Sequence, residues 1–143
     1  MKNASLFNPG DPPRATMQHK GERVVNGHVV HYTKKRQQSA IDYWTQFGAD
    51  VRGKLGGTLK GPVHISVYFL FHHPKNTPKA KAEKCHFRTV RPDLDNMVKG
   101  LLDGFSRAKV WEDDSQVVSM QLEKLSVPEE RCGTEVRIYE YDT

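Results

Sequence analysis

The chain has 143 residues, with 22 Lys and Arg against 17 Asp and Glu, for a formal net charge of +5. This length allows one domain with one core, and we treat residues 1–143 as a single domain. No apolar run approaches the ~18 residues needed to cross a bilayer, so we expect no membrane-spanning helix. The N-terminus lacks the apolar segment of a secretory signal, so we expect no such signal.

The first third of the chain combines an irregular segment with a hairpin signal. Residues 1–20 are rich in Pro and polar groups and predict an irregular N-terminal arm with room for one short strand. Asn26-Gly27 then stands between two β-branched segments, residues 23–25 and 28–30. Because both central positions of a tight hairpin turn need a positive φ, this pair predicts a β-hairpin.

A helix is expected next, capped by Thr33 and running to about Val51. Its apolar residues recur at helical spacing from Ala40 onward. Lys34 and Lys35 lie in the first turn, where cations oppose the helix dipole. Exposure of the helix start to solvent and a contact with phosphate explain these two lysines equally well. Lys34 and Lys35 therefore remain candidate DNA contacts.

Residues 63–71 alternate as a strand, and a cation-rich segment, residues 72–91, follows. A connection of this length is unusual in a compact domain and is usually functional or disordered. With so many cations, it predicts a mobile basic loop that contacts DNA. Its candidate DNA contacts are Lys79, Lys81, Lys84, Arg88 and Arg91.

The last third predicts a helix over residues 94–105, with the cleanest apolar stripe of the chain. Residues 119–125 and 134–141 alternate in polarity, and we interpret them as an antiparallel hairpin. The predicted order is roughly ββαβαββ. It indicates a mixed α/β (α+β) single domain with a small mixed sheet and two main helices.

Two acidic groups flank the predicted helix 94–105. Asp93 and Asp95 stand at its start, with Lys99 one turn on, and Glu112-Asp113-Asp114 follow its end. Magnesium prefers such oxygen ligands, and a site of this kind polarises a scissile phosphate. Alternatively, the aspartates are helix caps, and Asp95–Lys99 is an ordinary surface pair. Both acidic groups together, in a basic chain, favour the metal site.

The segment from Asp93 to Val118 resembles the core of the RusA family of Holliday-junction resolvases, also called crossover junction endodeoxyribonucleases, which phages and prophages often carry. The family pattern is D-L-D-N, a lysine soon after, and a later D-D-x-Q-V, and all three stand here at matching spacing. Pro12-Pro13-Arg14 and Tyr32-Thr33 are similar to the family's N-terminal segments. The lysine-rich loop before Asp93 is a departure that bears on how a junction is held.

The resemblance implies a dimeric mixed α/β fold and cleavage of four-way or other branched DNA with Mg²⁺, or with Mn²⁺ as a substitute. It implies recombination and repair work in a bacterial cytoplasm, on behalf of a phage or its host. We expect Asp103, two turns beyond Asp95, to contribute little. The implied catalytic and metal-binding carboxylates are Asp93, Asp95 and Asp114, with Asp113 as a further metal ligand, Lys99 as the catalytic lysine and Arg14 as a DNA contact.

Three alternatives are open at this stage. The chain could be a flap or branched-DNA nuclease of the same chemistry, a DNA-binding protein without cleavage, or a DxD glycosyltransferase, for which the chain lacks a nucleotide-binding βαβ pattern. His72, His73, Cys85 and His86 are of zinc-ligand type, but their spacing fits no usual zinc template. The two cysteines, Cys85 and Cys132, are expected to be reduced thiols.

Overall fold

The protein is described by a computed structural model covering residues 2–14, 21–32 and 34–142. It is a mixed α/β domain, as predicted, with two main helices, one short helix and seven strands in the described residues. The strands are β1 (Asn3–Pro9), β2 (Gly21–Val25), β3 (His28–Tyr32), β4 (Val63–His72), β5 (His86–Phe87), β6 (Val117–Val127) and β7 (Gly133–Glu140), and the helices are α1 (Lys35–Leu55), α2 (Lys79–Ala82) and α3 (Leu94–Arg107).

Five strands form one sheet in the order β1-β7-β4-β6-β5, and β2 and β3 form a separate hairpin. Strand β4 is central and pairs antiparallel with β7 and parallel with β6. The predicted hairpin between residues 119–125 and 134–141 is therefore wrong. Both segments are strands, but β4 lies between them, because its alternating apolar face supplies a better-buried neighbour for each.

Helices α1 and α3 cover one face of this sheet and build the core with it. Phe47 stacks on Phe105 at a centroid distance of 5.9 Å, and Trp44 meets Phe69 edge-on. A Cβ at Gly104 would lie 2.5 Å from the Cβ of Trp44, so only glycine allows the two helices to approach this closely. This packing fixes the position of α3 against the sheet.

Local signals in the sequence have mixed outcomes. The Asn-Gly hairpin is confirmed, with φ of 51° at Asn26 and 78° at Gly27. The N-terminal arm contains β1, a seven-residue strand paired with β7, so it is more regular than predicted. The basic loop 72–91 likewise contains α2 and β5. Thr33, the predicted cap, lies outside the described residues, as do residues 15–20 of the arm. No helix in the described ranges is long and apolar enough to span a membrane.

Candidate active site

The first acidic group lies at the start of α3. Asp93 is the N-cap residue by its backbone, but its side chain makes no capping hydrogen bond. Asp95 follows in the first turn, and both side chains are exposed, as is Lys99 one turn on. Among the ion pairs within the described residues, none joins Asp95 to Lys99. The two structural alternatives for these residues, a capping aspartate and a surface ion pair, therefore gain no support.

Two arginines face Asp93. A cavity of about 310 Å³ is lined by Arg14, Arg91, Pro92, Asp93 and Asn96. Arg14 comes from the distant N-terminal segment, where its guanidinium donates to Asp11 at 3.1 Å. The structure thus brings together two sequence-predicted DNA contacts and one predicted carboxylate.

Asp11 and Phe71 hold the arginines in place, and neither was singled out from the sequence. Asp11 accepts a hydrogen bond from the backbone N–H of His72 and lies 3.1 Å from its Nε2. The guanidinium groups of Arg14 and Arg88 lie 5.3 and 4.6 Å from the centre of the Phe71 ring. Burial, followed by the charge of Arg14, lowers the pKa of Arg88 from its ordinary value. The result is a concentrated positive field beside Asp93.

Lys124 is a second residue that sequence reasoning missed. Its Nζ donates to the carbonyl oxygens of Val90 and Pro92, each at 2.7 Å, directly before Asp93. Burial and the charge of Arg88 lower the pKa of Lys124, and Asp93 opposes this shift. The sequence did carry a sign of this role, because Lys124 takes the place of an apolar residue in the alternation of Met120 and Leu122 along β6.

The second acidic group follows α3. Asp113 accepts a hydrogen bond from the backbone N–H of Ser115, and this bond lowers the pKa of Asp113. Partial burial raises the pKa of Asp114, and the negative charges of Asp113 and Asp103 raise it further. Asp103 also shares a cavity of about 430 Å³ with Glu112, Asp113 and Asp114. The expectation that Asp103 contributes little stays a prediction, but its position beside Asp113 and Asp114 makes it less separate from the second acidic group than its place on the helix suggested.

Gln116 organises this second group through both ends of its amide. Its Oε1 accepts from the backbone N–H groups of Glu112 and Asp113, and its Nε2 donates to the carbonyl oxygens of Leu59 and Gly61. These hydrogen bonds give the Gln of the D-D-x-Q-V motif a structural role, because they attach the acidic turn to the segment before β4.

The two acidic groups do not meet within one chain. Asp103 stands eight positions after Asp95 on α3, which corresponds to about 12 Å at 1.5 Å per residue. Strand β6 gives a second measure of the separation. The strand starts at Val117, just after Asp114, and contacts Pro92 through Lys124. These two positions on β6 are about 23 Å apart along an extended strand. Within the described residues, no three His, Cys, Asp or Glu side chains are placed to hold one metal ion.

The remaining predicted DNA contacts extend the positive surface in two directions. Arg14 also lines a cavity with Arg36 in the first turn of α1, so the exposed Lys34 and Lys35 continue the surface on that side. Lys79 and Lys81 on α2 and Lys84 just after it are exposed, and Lys81 lines one cavity with Arg88. A basic surface therefore borders the first acidic group.

His72, His73 and Cys85, three of the residues of zinc-ligand type, have local partners. His72 contacts Asp11, and His73 Nε2 donates to the carbonyl of Lys84 at 2.6 Å. Arg131 donates to the sulfur of Cys85, and both Cys85 and Cys132 are free thiols. Both tryptophans, Trp44 and Trp111, belong to the core.

Comparison with known proteins bears directly on this arrangement. The family model described as Endodeoxyribonuclease RusA matches residues 9–139. The chain belongs to the RusA family. The match includes both acidic groups, Lys99 and Arg14, so the resemblance predicted from the short motif extends over most of the chain.

Two curated relatives of the RusA-family chain cover part of it. The uncharacterized protein YqaN of Bacillus subtilis (strain 168) is 36% identical over 85 residues, 55% of this chain and 59% of that protein. The crossover junction endodeoxyribonuclease rusA of Lactococcus phage r1t is 32% identical over 75 residues, 52% of this chain and 53% of that protein. The chain spans between half and three fifths of the length of these relatives.

Proposed function

We propose that this chain is a magnesium-dependent endonuclease that resolves four-way DNA junctions as a homodimer in the bacterial cytoplasm. The observation that carries the proposal is the exposed Asp93–Asp95 pair beside Arg14 and Arg91. Carboxylates next to a strong positive field suit a cation and a phosphate at one place. The name of the Lactococcus phage relative supports the junction as substrate.

The donor set fits magnesium. Asp93, Asp95 and Asp114 offer carboxylate oxygens, which this hard cation prefers, and the negative charges around Asp114 favour a counter-cation there. Asp113 is a further candidate ligand. When bound, magnesium would neutralise charge on the scissile phosphate and activate water.

The cationic side chains have separate tasks in this proposal. Arg14 and Arg91 would hold the phosphate next to Asp93, since a guanidinium binds phosphate oxygens with two parallel donors. Lys99 lies one turn from Asp95 and would offset the charge that develops on the reacting phosphate. Lys34, Lys35, Lys79, Lys81 and Lys84 would contact the DNA backbone on either side.

A homodimer explains why the acidic groups are apart. Helix α3 runs antiparallel to β6. Its start lies beside Lys124, near the end of the strand, and Asp103 in its second half lies beside Asp114, just before the strand begins. A two-fold axis near the middle of this edge would exchange the two ends, so that Asp93 and Asp95 of one chain meet the partner's Asp114. Each dimer would then hold two composite sites, which matches the two opposing cuts that a four-way junction requires.

An exposed apolar strip supports this interface. Met120 pairs with Ile65 in the sheet and so lies on the helix-covered side, yet 48% of its surface is exposed. Val118, at the start of β6, is 62% exposed. Large apolar side chains in a row beyond the edge of α3 are typical of a surface that packs on another chain.

Nicking of a synthetic four-way junction, a flap and a linear duplex, with magnesium and with chelator, tests the function. We expect paired nicks in the junction that require the metal. Preferred cleavage of the flap would favour a flap nuclease of the same chemistry. Binding without any cleavage would indicate a DNA-binding protein and would overturn the proposal.

A further inference from the structure

A further cavity lies between α2 and β5, at the edge of the sheet. Its volume is about 340 Å³, and its wall includes His73, Lys81, His86, Phe87 and Arg88. Phe87 is 74% exposed, as is 58% of Val90 nearby. Phe87 and Val90 together leave a small apolar patch at the rim of this cavity, which is accessible to an external partner.

Hydrogen bonds through Lys124 connect this cavity to the first acidic group. The backbone N–H of Arg88 donates to the carbonyl of Lys124 at 3.0 Å. The same lysine binds the carbonyl oxygens of Val90 and Pro92 through its Nζ. Because Asp93 follows Pro92 directly, Phe87 and the acidic end of α3 share one support. The cavity therefore lies on the same supported segment as the carboxylate that would face the phosphate.

The wall combines an aromatic face, cations and polar groups. His73 and His86 pack edge to face at 5.7 Å, which backs the cavity with flat rings. Within the described chain, His86 Nε2 and Arg88 Nε are buried without a hydrogen-bond partner, behind the surface that the two side chains give to the cavity. Lys81 adds a positive charge, and the exposed Lys79 lies on the same short helix.

We propose that this cavity receives an unstacked nucleobase of the cleaved strand, which stacks on Phe87, and that it sets the base preference of cleavage. The inference rests on the proposed function, since it assumes that DNA runs past Asp93. Aromatic faces flanked by cations are the usual means of holding an unpaired base. The volume is within the range of sites that enclose small ligands, about 300–1,000 Å³.

The direct test places the fluorescent base 2-aminopurine at each position around the crossover of a four-way junction. Stacking between bases quenches its emission, so extrusion into the cavity should raise the emission when the protein binds in chelator. We expect this rise at one position with the natural chain, because a phenyl ring quenches 2-aminopurine far less than neighbouring bases do, and its loss with Phe87→Ala. The matched control is Phe7→Ala, which removes another partly exposed Phe from an edge strand and should retain the rise.

Cleavage of junctions that differ only in the bases at the crossover gives the second readout. Stacking of one base on an aromatic ring corresponds to about a 5- to 150-fold effect. With Phe87→Ala, the ratio of the fastest to the slowest junction should fall by about fivefold or more, while the slowest junction is cut as before. Phe7→Ala should keep the natural ratio.

The outcomes separate this inference from the proposed function. An unchanged 2-aminopurine signal and an unchanged ratio with Phe87→Ala would overturn the base pocket while junction cleavage stands. An equal loss of binding and cleavage for every junction would make Phe87 a general contact and would also overturn it. If the natural chain binds junctions with the 2-aminopurine rise but cuts none, the nuclease proposal and the role in cleavage preference fail, while the binding of an unstacked base in the cavity stands.

Discussion

Asp93 occupies the N-cap position of α3 without using its carboxylate to cap the helix. The charge is therefore available to a ligand and repels a phosphate until a cation intervenes. Asp114 stands among negative neighbours, and their charges contribute to its raised pKa. Both groups gain from a bound cation, which is the basis of the first prediction.

Asp93→Asn, Asp95→Asn and Asp114→Asn should each reduce nicking in magnesium by at least about 100-fold, because each removes a charged ligand of a cation that contributes several kcal/mol. Junction binding in chelator should stay equal or tighten, since one repulsive charge is gone. Nicking rates and binding affinities on a four-way junction check this.

Asp50→Asn is the matched control for these variants. Asp50 is exposed on α1 and accepts a hydrogen bond from Gln46 on the same helix. Its replacement should leave nicking unchanged. Asp103 is unsuitable as a control because it shares the cavity of Asp113 and Asp114. Site variants that cleave at the natural rate would refute the metal-site assignment.

Gln116→Glu should slow cleavage without unfolding the protein. A carboxylate cannot donate to the carbonyl oxygens of Leu59 and Gly61, so the acidic turn would lose its anchor and gain a negative charge. We expect a loss of about tenfold in rate, corresponding to about 1.4 kcal/mol, with a similar melting temperature. Gln121→Glu, at an exposed position on β6, is the control. Equal rates for both variants would contradict a positioning role for Gln116.

At the scale of elements, α2 and β5 turn the predicted loop into an ordered extension beside the first acidic group. Lysines on this extension are exposed, so they can reach a DNA backbone without rearrangement of the core. The start of α1 contributes Lys34 and Lys35 on the other side of Arg14. DNA binding should therefore depend on charges from separate elements.

Replacing Lys79, Lys81 and Lys84 with Ala should weaken junction binding and flatten its salt dependence. Each lost phosphate contact lowers the slope of log affinity against log salt by about 0.9. Affinity measured across a salt series checks this. Arg52→Ala with Lys54→Ala, at the far end of α1, should leave the slope unchanged. A natural slope in the triple variant would place the extension away from DNA.

The bounds of the elements could be predicted from the sequence better than their arrangement in the sheet. Periodicity located α3 and β4 within two residues of their ends, because each buries one regular face. It could not assign the neighbours of β6, since alternation defines a face and not a partner strand. Likewise, the motif picks out Asp93, Asp95 and Asp114 as candidate carboxylates, which stays a prediction, but it could not indicate how far apart they lie, because that depends on the length of α3 and its direction along β6.

At the scale of the whole molecule, a single chain keeps its two acidic groups apart, and in the proposed dimer each would complete a site with the other group of the partner chain. The exposed strip of Val118 and Met120 lies along β6, so that pairing of two chains would bury apolar surface and complete both sites together. Cleavage would then depend on dimerisation, which suits an enzyme that must cut two opposing strands.

Subunit complementation tests this central claim most directly. A heterodimer of one Asp93→Asn chain and one Asp114→Asn chain, purified by two different tags, would place both changes in one composite site and leave the other intact. We predict that it nicks a four-way junction at about half the natural rate, mainly in one strand, although each variant alone is inactive. A heterodimer of Asp93→Asn and Asp95→Asn chains should stay inactive. If the first heterodimer is as inactive as its parents, the composite site is refuted.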